Sequence, residues 1–203
     1  MNPNMPDKKI IEELANTMPE DSIFCEVGIR SGDSAMISFE AIKNSNKNRW
    51  FFTVDPHGNK PYLIRTDSYA ESIYPDQHHR DAMYTLSKYA YENNLLHTHW
   101  RMTSYDFMKH IEDIEFYHDG EKIEYKFGFV YLDGEHHIKI VKDELEWFKK
   151  RMVSGGMIVI DDADFVIPDY YLELNGMTRE ELVKFNLGED TYLENNDIYY
   201  KHE

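Results

Sequence analysis

Two short apolar runs of this chain, Phe127–Leu132 and Met157–Ile160, each end directly in acidic residues. The residues behind them that could do chemistry are Asp133, His136, Asp161 and Asp162. Crowded carboxylates repel one another unless a cation or a proton lies between them. With no cysteine nearby, this pattern favours a hard cation such as Mg²⁺. The alternative is that Asp133 only caps a turn and that the Asp161-Asp162 pair is an exposed acidic corner.

The elements that must position these acids form a strand–helix–strand unit. Each apolar run has the length and composition of a buried parallel strand. Between them, residues Ile138 to Met152 carry apolar side chains at helical spacing, and Gly155-Gly156 is expected to end that helix. Because such crossovers are right-handed, both acidic strand ends should meet at one edge of the sheet, where open α/β sheets bind ligands.

A second group of polar residues belongs to the glycine-containing turn after the strand predicted at Ser22–Gly28. Gly28 and Gly32 would let the backbone approach a ligand. Asp55 ends the next predicted strand, Arg49–Val54, where an acid can accept hydrogen bonds from both ribose hydroxyls. The alternative is that Asp55 serves only as a helix cap or as a turn residue before Pro56. The G-x-x-x-G spacing lacks the third glycine of a dinucleotide fingerprint, which disfavours a nicotinamide cofactor.

Strands alternate with helices along the chain, which predicts a doubly wound α/β sheet in a single domain over residues 1–203. The irregular segment 57–76 is predicted to be a lid over the substrate site. The turn signal within 114–126 predicts an inserted β-hairpin. His78, His79 and Arg80 are read as a solvated helix start rather than a substrate contact. The sequence does not decide whether Tyr62, Tyr69 and Tyr74 line the substrate pocket or pack within a loop.

Composition narrows the classes of partner and compartment. The net charge of −16 gives no electrostatic support for a nucleic-acid or anionic-membrane partner. A single cysteine, Cys25, cannot form an internal disulfide, and no run has the length of a membrane span or a signal peptide. The sequence therefore predicts a cytoplasmic protein with no membrane partner. Whether the chain forms a homo-oligomer is left open.

The joint spacing of these motifs resembles the class I S-adenosylmethionine-dependent methyltransferases. The pattern is E-x-G-x-x-x-G-x-S from Glu26 to Ser34, an acid after the second strand, then D-G-x-H at Asp133 and G-G-x-I-x-x-D-D ending at Asp162. It is most similar to metal-dependent small-molecule O-methyltransferases of the catechol and macrocin type. The resemblance implies a Rossmann-like, mostly parallel seven-stranded sheet with helices on both faces.

The resemblance also assigns roles to individual residues. The methionine end of S-adenosylmethionine would be lined by Glu26, Gly28, Gly32 and Ser34. Asp55 would hold the ribose and Ser104 the adenine edge. The cation ligands would be Asp133, Asp161 and Asp162. The chain departs from catechol-type enzymes in having Asp162 where they have asparagine and His136 where they have the catalytic lysine.

The sequence thus predicts an S-adenosylmethionine-dependent O-methyltransferase that acts on a hydroxyl of a small molecule or sugar. Asp133 would help bind the cation at the reacting oxygen, and His136 would take the proton. The alternative is a non-catalytic cofactor-binding module with the same fold. A nucleic-acid methyltransferase has no support from charge. The acceptor, the pathway and the role of residues 165–203 do not follow from the sequence.

Overall fold

A computed structural model of the chain describes residues 7–58, 62–63, 71–72, 74–118 and 120–203. Its central sheet has seven strands in the order β10-β11-β9-β8-β1-β2-β5. These strands are β1 (Ile23–Val27), β2 (Trp50–Val54), β5 (Leu96–Trp100), β8 (Phe127–Leu132), β9 (Met152–Ile160), β10 (Thr191–Glu194) and β11 (Asp197–Lys201). The first five pair in parallel, whereas β11 is antiparallel to β9 and to β10. The prediction of a doubly wound, mostly parallel seven-stranded sheet is confirmed.

Helices cover both faces of this sheet. They are α1 (Lys8–Thr17), α2 (Asp33–Ser45), α3 (Asp76–Glu92), α4 (Ser104–Ile111), α5 (Ile138–Lys149), α6 (Ala163–Val166), α7 (Asp169–Asn175) and α8 (Arg179–Leu187). One apolar layer packs α1, α2 and α3 against the sheet, and the other packs α4, α5 and α8. Strand side chains alternate between the layers, so that Phe24 faces the first and Cys25 the second.

The connection into β9 differs from its prediction. The helix α5 ends at Lys149 rather than Met152, and β9 begins at Met152, before the two glycines. Gly155 has φ +78°, and the pairing of β8 with β9 shifts register between Phe127 and Phe129. The glycines therefore form an irregularity within the strand instead of ending the helix.

The N-terminal helix α1 is anchored by a buried arginine. Arg49 is 1% exposed, and its guanidinium lies 4.6 Å from the centre of the Phe24 ring. It donates to the carbonyl oxygens of Ala15 at 3.0 Å and Met18 at 3.1 Å, and to Ser22 Oγ at 2.8 Å. One side chain thus satisfies carbonyls that the end of α1 leaves unpaired.

Two short antiparallel pairs lie outside the sheet. Within the predicted insertion 114–126, β6 (Phe116–His118) pairs with β7 (Glu121–Ile123). Within the predicted lid, the backbones of β3 (Tyr62–Leu63) and β4 (Glu71–Ser72) pair. Most of the predicted lid, including the side chains of Tyr62 and Tyr69, lies outside the described residues.

Candidate active site

Four neighbouring parallel strands end in the same row. The register pairs Val54 with Val27, Val27 with Leu132, and Leu132 with Ile160. The residues that follow these strand ends are Asp55, Gly28, Asp133 and Asp161. Backbone hydrogen bonds extend the pairing of the strands by one more residue. They run from Gly28 N to Val54 O at 2.8 Å, from Asp133 N to Val27 O at 2.8 Å, and from Asp161 N to Leu132 O at 2.9 Å. The residues predicted from separate motifs therefore lie side by side at one sheet edge.

Gly28 is at the centre of this row because no other residue fits there. Its φ is +83°, and a Cβ would lie 2.1 Å from the carbonyl oxygen of Asp133. The glycine turn is thus in direct backbone contact with the first acid of the site. Gly32, with φ +89°, faces only the Leu86 side chain at 3.3 Å.

The backbone amides of the glycine turn are largely in use. Those of Ile29 and Arg30 donate to Asp55 Oδ2 at 2.9 and 3.0 Å, and that of Gly32 to Ile29 O at 2.6 Å. These three amides are therefore not available to a ligand. The glycines of the turn serve close approach between backbone segments instead.

Asp55 holds the turn in place from the end of β2. It is 7% exposed, and its Oδ1 accepts from the His57 amide at 2.7 Å while Oδ2 accepts the two amides of the turn. The turn-residue alternative is thus present in the structure. A ribose contact by Asp55 stays a prediction, because only the remaining lone pairs of the carboxylate could make it.

Glu26 and Ser34 form a buried pair beneath the turn. Ser34 Oγ donates to Glu26 Oε1 at 2.5 Å. Glu26 is fully buried, and its Oε2 has no hydrogen-bond partner within the described part of the chain. Burial raises the Glu26 pKa to about 8, although the Ser34 bond opposes the rise. An unpartnered buried carboxylate oxygen is a strong position from which to hold a cationic group.

The acid corner consists of Asp133, His136, Asp161 and Asp197. Ligand atoms from the first three lie within 4.8 Å of one another. Hydrogen bonds join the side chains of Asp161 and Asp133, and those of Asp161 and Asp197. Burial and the charge of Asp161 raise the Asp133 pKa to about 10 and the Asp197 pKa to about 7. A carboxylate pair this close must share a proton or a cation.

His136 lies inside this acid corner. It is 7% exposed, its Nε2 is 3.7 Å from Asp133 Oδ1, and its ring packs edge-on against Phe165. Burial lowers the His136 pKa despite the nearby Asp161 and Asp164 carboxylates. The ring is therefore neutral near pH 7, the form that can accept a proton or bind a metal.

Two predicted site residues lie apart from this grouping. Asp162 is not part of the group of ligand atoms around Asp133. It precedes α6 and has a φ of +53°. Burial raises the pKa of its carboxyl group to about 6. Ser104 begins α4, and its side chain donates a hydrogen bond to the buried Glu144 of α5. A metal role for Asp162 and an adenine contact by Ser104 stay predictions.

Sequence reasoning missed two contributors to this edge. Asp197 begins β11, and this antiparallel strand starts at the edge where the parallel strands end. His79 was read as solvated, but its Nδ1 lies 3.3 Å from His57 Nδ1. His78 instead packs against Tyr74, whose ring also lies under Arg30. The helices among the described residues do not combine the length and the hydropathy that a membrane-spanning helix needs.

Comparisons with known proteins agree with this fold. The O-methyltransferase TomG from Streptomyces achromogenes, solved with S-adenosylmethionine, matches at 13% identity and TM-score 0.52, over 98% of this chain and 80% of its own. The calicheamicin methyltransferase CalS11 matches at 13% identity and TM-score 0.64, over 96% and 76%. An O-methyltransferase from Bacillus cereus, in complex with SAH, matches at 10% identity and TM-score 0.53, over 97% and 80%. At these identities the likeness shows the fold. A search of curated proteins found no match.

The family assignment comes from the sequence itself. A family model described as a methyltransferase domain matches residues 25–163, which is more than half of the chain. The matched span runs from the first core strand to the end of the acid-bearing β9 and includes Gly28, Asp55, Asp133 and Asp161. With this match and its class I methyltransferase fold, the chain belongs to the methyltransferase-domain family and is a methyltransferase.

Proposed function

We propose that this methyltransferase transfers a methyl group from S-adenosylmethionine to a hydroxyl of a small molecule or sugar, with help from a divalent cation. The observation that carries the proposal is the contact between Gly28 and Asp133, which puts the donor-side turn beside the acid corner. Proteins of similar fold include O-methyltransferases solved in complex with S-adenosylmethionine or SAH, which supports the same choice of donor.

The donor side fits S-adenosylmethionine. Buried Glu26, with one unpartnered oxygen in the described structure, suits the ammonium of the methionine moiety. Bringing that ammonium beside Glu26 would offset the cost of a buried charge, because an opposite charge favours the ionised carboxylate. Asp55 holds the glycine turn through its three amide contacts. Its remaining lone pairs would accept hydrogen bonds from the ribose.

The acceptor side fits a hard cation. Asp133 and Asp161 offer carboxylate oxygens that repel each other when ionised, and Asp197 and Asp162 add further acid close by. When bound, the cation supplies Lewis-acid polarisation of the acceptor hydroxyl, and S-adenosylmethionine supplies the methyl group. Asp133 and Asp161 hold that hydroxyl in place, so that positioning next to Gly28 provides much of the acceleration.

His136 is proposed as the base of the reaction. Its buried, neutral ring adjoins Asp133 and can accept the hydroxyl proton at a ring nitrogen. The neighbouring Asp133 and Asp161 carboxylates would then stabilise the imidazolium that forms. The same position would also suit His136 as a direct cation ligand.

The test separates donor binding from chemistry. Calorimetry with S-adenosylmethionine and with NAD, each with and without Mg²⁺, should show binding of S-adenosylmethionine only. Transfer of labelled methyl from that donor into a pool of hydroxylated metabolites should then depend on Mg²⁺. Donor binding without any transfer would favour the non-catalytic module, and transfer that survives exhaustive chelation would remove the cation from the mechanism.

The role of His136 has its own measurement. His136→Ala should slow transfer by about 10²–10⁴-fold, the usual cost of losing one general base. If His136 is the base, the apparent Mg²⁺ affinity of the variant should stay close to wild type; a parallel loss of Mg²⁺ affinity would assign His136 as a ligand instead. His137→Ala is the matched control, since His137 caps α5 through its own side chain.

A further inference from the structure

On the other side of the glycine turn, three histidines converge in a second cluster that the proposed reaction does not use. This histidine corner consists of His57 after β2, His99 in β5 and His79 in α3. One ring nitrogen from each lies within 4.8 Å of the others. The ring centres are 4.8 Å apart for His57 and His79, and 5.4 Å apart for the other two pairs.

A neighbouring carbonyl fixes the lone pair of His57, and a neighbouring hydroxyl is compatible with the metal-binding tautomer of His99. His57 Nε2 lies 2.9 Å from the carbonyl oxygen of Arg30, which can only accept, so Nε2 carries the proton and Nδ1 carries the lone pair. His99 Nδ1 bonds to Thr53 Oγ1 at 3.0 Å, and its Nε2 is buried without a partner in the described structure. Metal-binding histidines are held in this way, by a hydrogen bond to the nitrogen opposite the metal.

The spacing also suits a metal. His57 Nδ1 and His79 Nδ1 are 3.3 Å apart. Two nitrogens that bind one zinc ion tetrahedrally, each about 2.0–2.1 Å from it, lie about 3.3 Å from each other. Asp55 Oδ1 lies 3.5 Å from His57 Nδ1, so a carboxylate oxygen and imidazole lone pairs face one another and need a cation or a proton between them.

We propose that His57, His79 and His99 bind a divalent transition-metal ion, for which Zn²⁺ is the natural probe. Three imidazoles without a thiolate suit zinc and similar ions better than Mg²⁺, which prefers oxygen ligands. The fourth position is left to water or to the Asp55 carboxylate. The metal would tie the end of β2 to β5 and α3 and would neutralise charge next to Asp55.

The surroundings of His79 and His99 favour the neutral ring form that binds metal. Burial lowers the His99 pKa to about 3, and burial with the neighbouring His57 lowers that of His79. Arg101 acts in the same direction on both histidines, and its charge is paired with Asp76 at 2.7 Å. Neutral imidazole is the ligand state of histidine, so no proton has to be displaced from His99 near pH 7.

Zinc binding by the full chain tests this proposal. The protein is stripped with a chelator, dialysed, and titrated with Zn²⁺ while the metal content and the thermal midpoint are measured; Co²⁺ is used in parallel for its visible absorption. We expect about one equivalent of zinc in the wild-type chain and an upward shift of the thermal midpoint. A wild-type chain that takes up no zinc overturns the proposal.

Matched variants locate the ion. His79→Gln should lower the zinc affinity at least about 100-fold, whereas His78→Gln on the same helix should keep it. His99→Gln and His97→Gln form a second pair on β5. Asp161→Asn disables the acid corner and should leave zinc uptake intact. Far-UV circular dichroism checks that each variant folds; His79 is only half-buried, so its variant keeps the test valid.

Two outcomes would refute the assignment. Equal zinc affinity in wild type, His79→Gln and His99→Gln would mean that the histidines are held by an imidazole–imidazole hydrogen bond, with His79 Nδ1 donating to His57 Nδ1. Loss of zinc in Asp161→Asn together with retention in His79→Gln would put the ion in the acid corner. Because zinc uptake is measured without methyl transfer, its result stands apart from that of the proposed reaction.

Discussion

The acid corner and the histidine corner lie on opposite sides of the same glycine turn, and burial acts on them in opposite directions. In the acid corner, burial raises carboxyl pKa values, to about 10 at Asp133. In the histidine corner, burial lowers imidazole pKa values, to about 3 at His99. Burial thereby favours the neutral forms of Asp133 and His99 in the absence of a ligand. The difference lies in the donor atoms, because carboxylate oxygens suit a hard cation and imidazole nitrogens a softer one.

The two glycines of the turn divide between these corners. Gly28 touches the Asp133 backbone, whereas Gly32 packs against Leu86 of α3, the helix that carries His79. The turn therefore connects the two corners mechanically, with a rigid backbone contact on the acid side and an adaptable side-chain contact on the histidine side. The predictions below test this contrast, beginning with the largest expected effect.

Asp161→Asn should almost abolish methyl transfer. The substitution keeps the shape of the side chain and removes one charge from the acid corner, so the rate should fall by about 10³-fold, as expected when several kcal/mol of charge stabilisation are lost. Transfer of labelled methyl measures the rate, and calorimetry should show S-adenosylmethionine binding close to wild type. Asp164→Asn is the matched control, and a comparable loss there would show that the effect is not specific to the acid corner.

Gly28→Ala should destabilise the fold far more than Gly32→Ala. A methyl group at position 28 would meet the Asp133 carbonyl at 2.1 Å, so the two strands would have to separate, and we expect a loss of about 3 kcal/mol or more in the free energy of unfolding. Gly176→Ala, with φ +62° and open space around it, isolates the backbone cost of about 1–2 kcal/mol. Urea denaturation measures all three variants. Equal losses at positions 28 and 176 would contradict the close contact.

Asp197→Asn should have opposite effects on cation binding and on stability. Removing a charge near the cation should weaken Mg²⁺ binding by about 10–100-fold. The folded-state pKa of Asp197 is raised from 3.8 to about 7, so the metal-free wild type loses stability as the pH rises through this window. The variant cannot ionise, and its stability relative to wild type should therefore increase between pH 4 and pH 8. Denaturation at both pH values with EDTA checks the sign.

His97→Gln should remove a pH dependence of folding stability whose sign is opposite to that caused by Asp197. Burial lowers the His97 pKa from 6.5 to about 4, so the unfolded chain binds the proton first and wild-type stability falls as the pH drops from 6.5 towards 4. One such group contributes a slope of up to about 1.4 kcal/mol per pH unit. Denaturation of wild type and variant between pH 4 and pH 7 measures the difference. Parallel slopes would show that His97 titrates normally.

The sequence predicted the strands better than the contacts at their ends. The sequence predicts the bounds of β8 without error, because Phe127–Leu132 is a continuous apolar run. The convergence of Asp133 and Asp161 followed from crossover handedness. The amide contacts of Asp55 did not, since nothing in a sequence shows which lone pairs a local turn already occupies. The histidine corner joins three distant segments, and no local pattern connects them.

The buried Arg49 has a consequence for how short this domain can be made. Its guanidinium donates hydrogen bonds to Ala15, Met18 and Ser22. Removing the first eighteen residues would therefore leave this cation in an apolar layer without most of its acceptors. An unpaired buried charge typically costs several kcal/mol, which is a large part of the stability of a domain. The N-terminal helix, although it precedes the family match, is therefore an obligatory part of the folding unit. Minimal versions of the enzyme should begin before it or replace Arg49 at the same time.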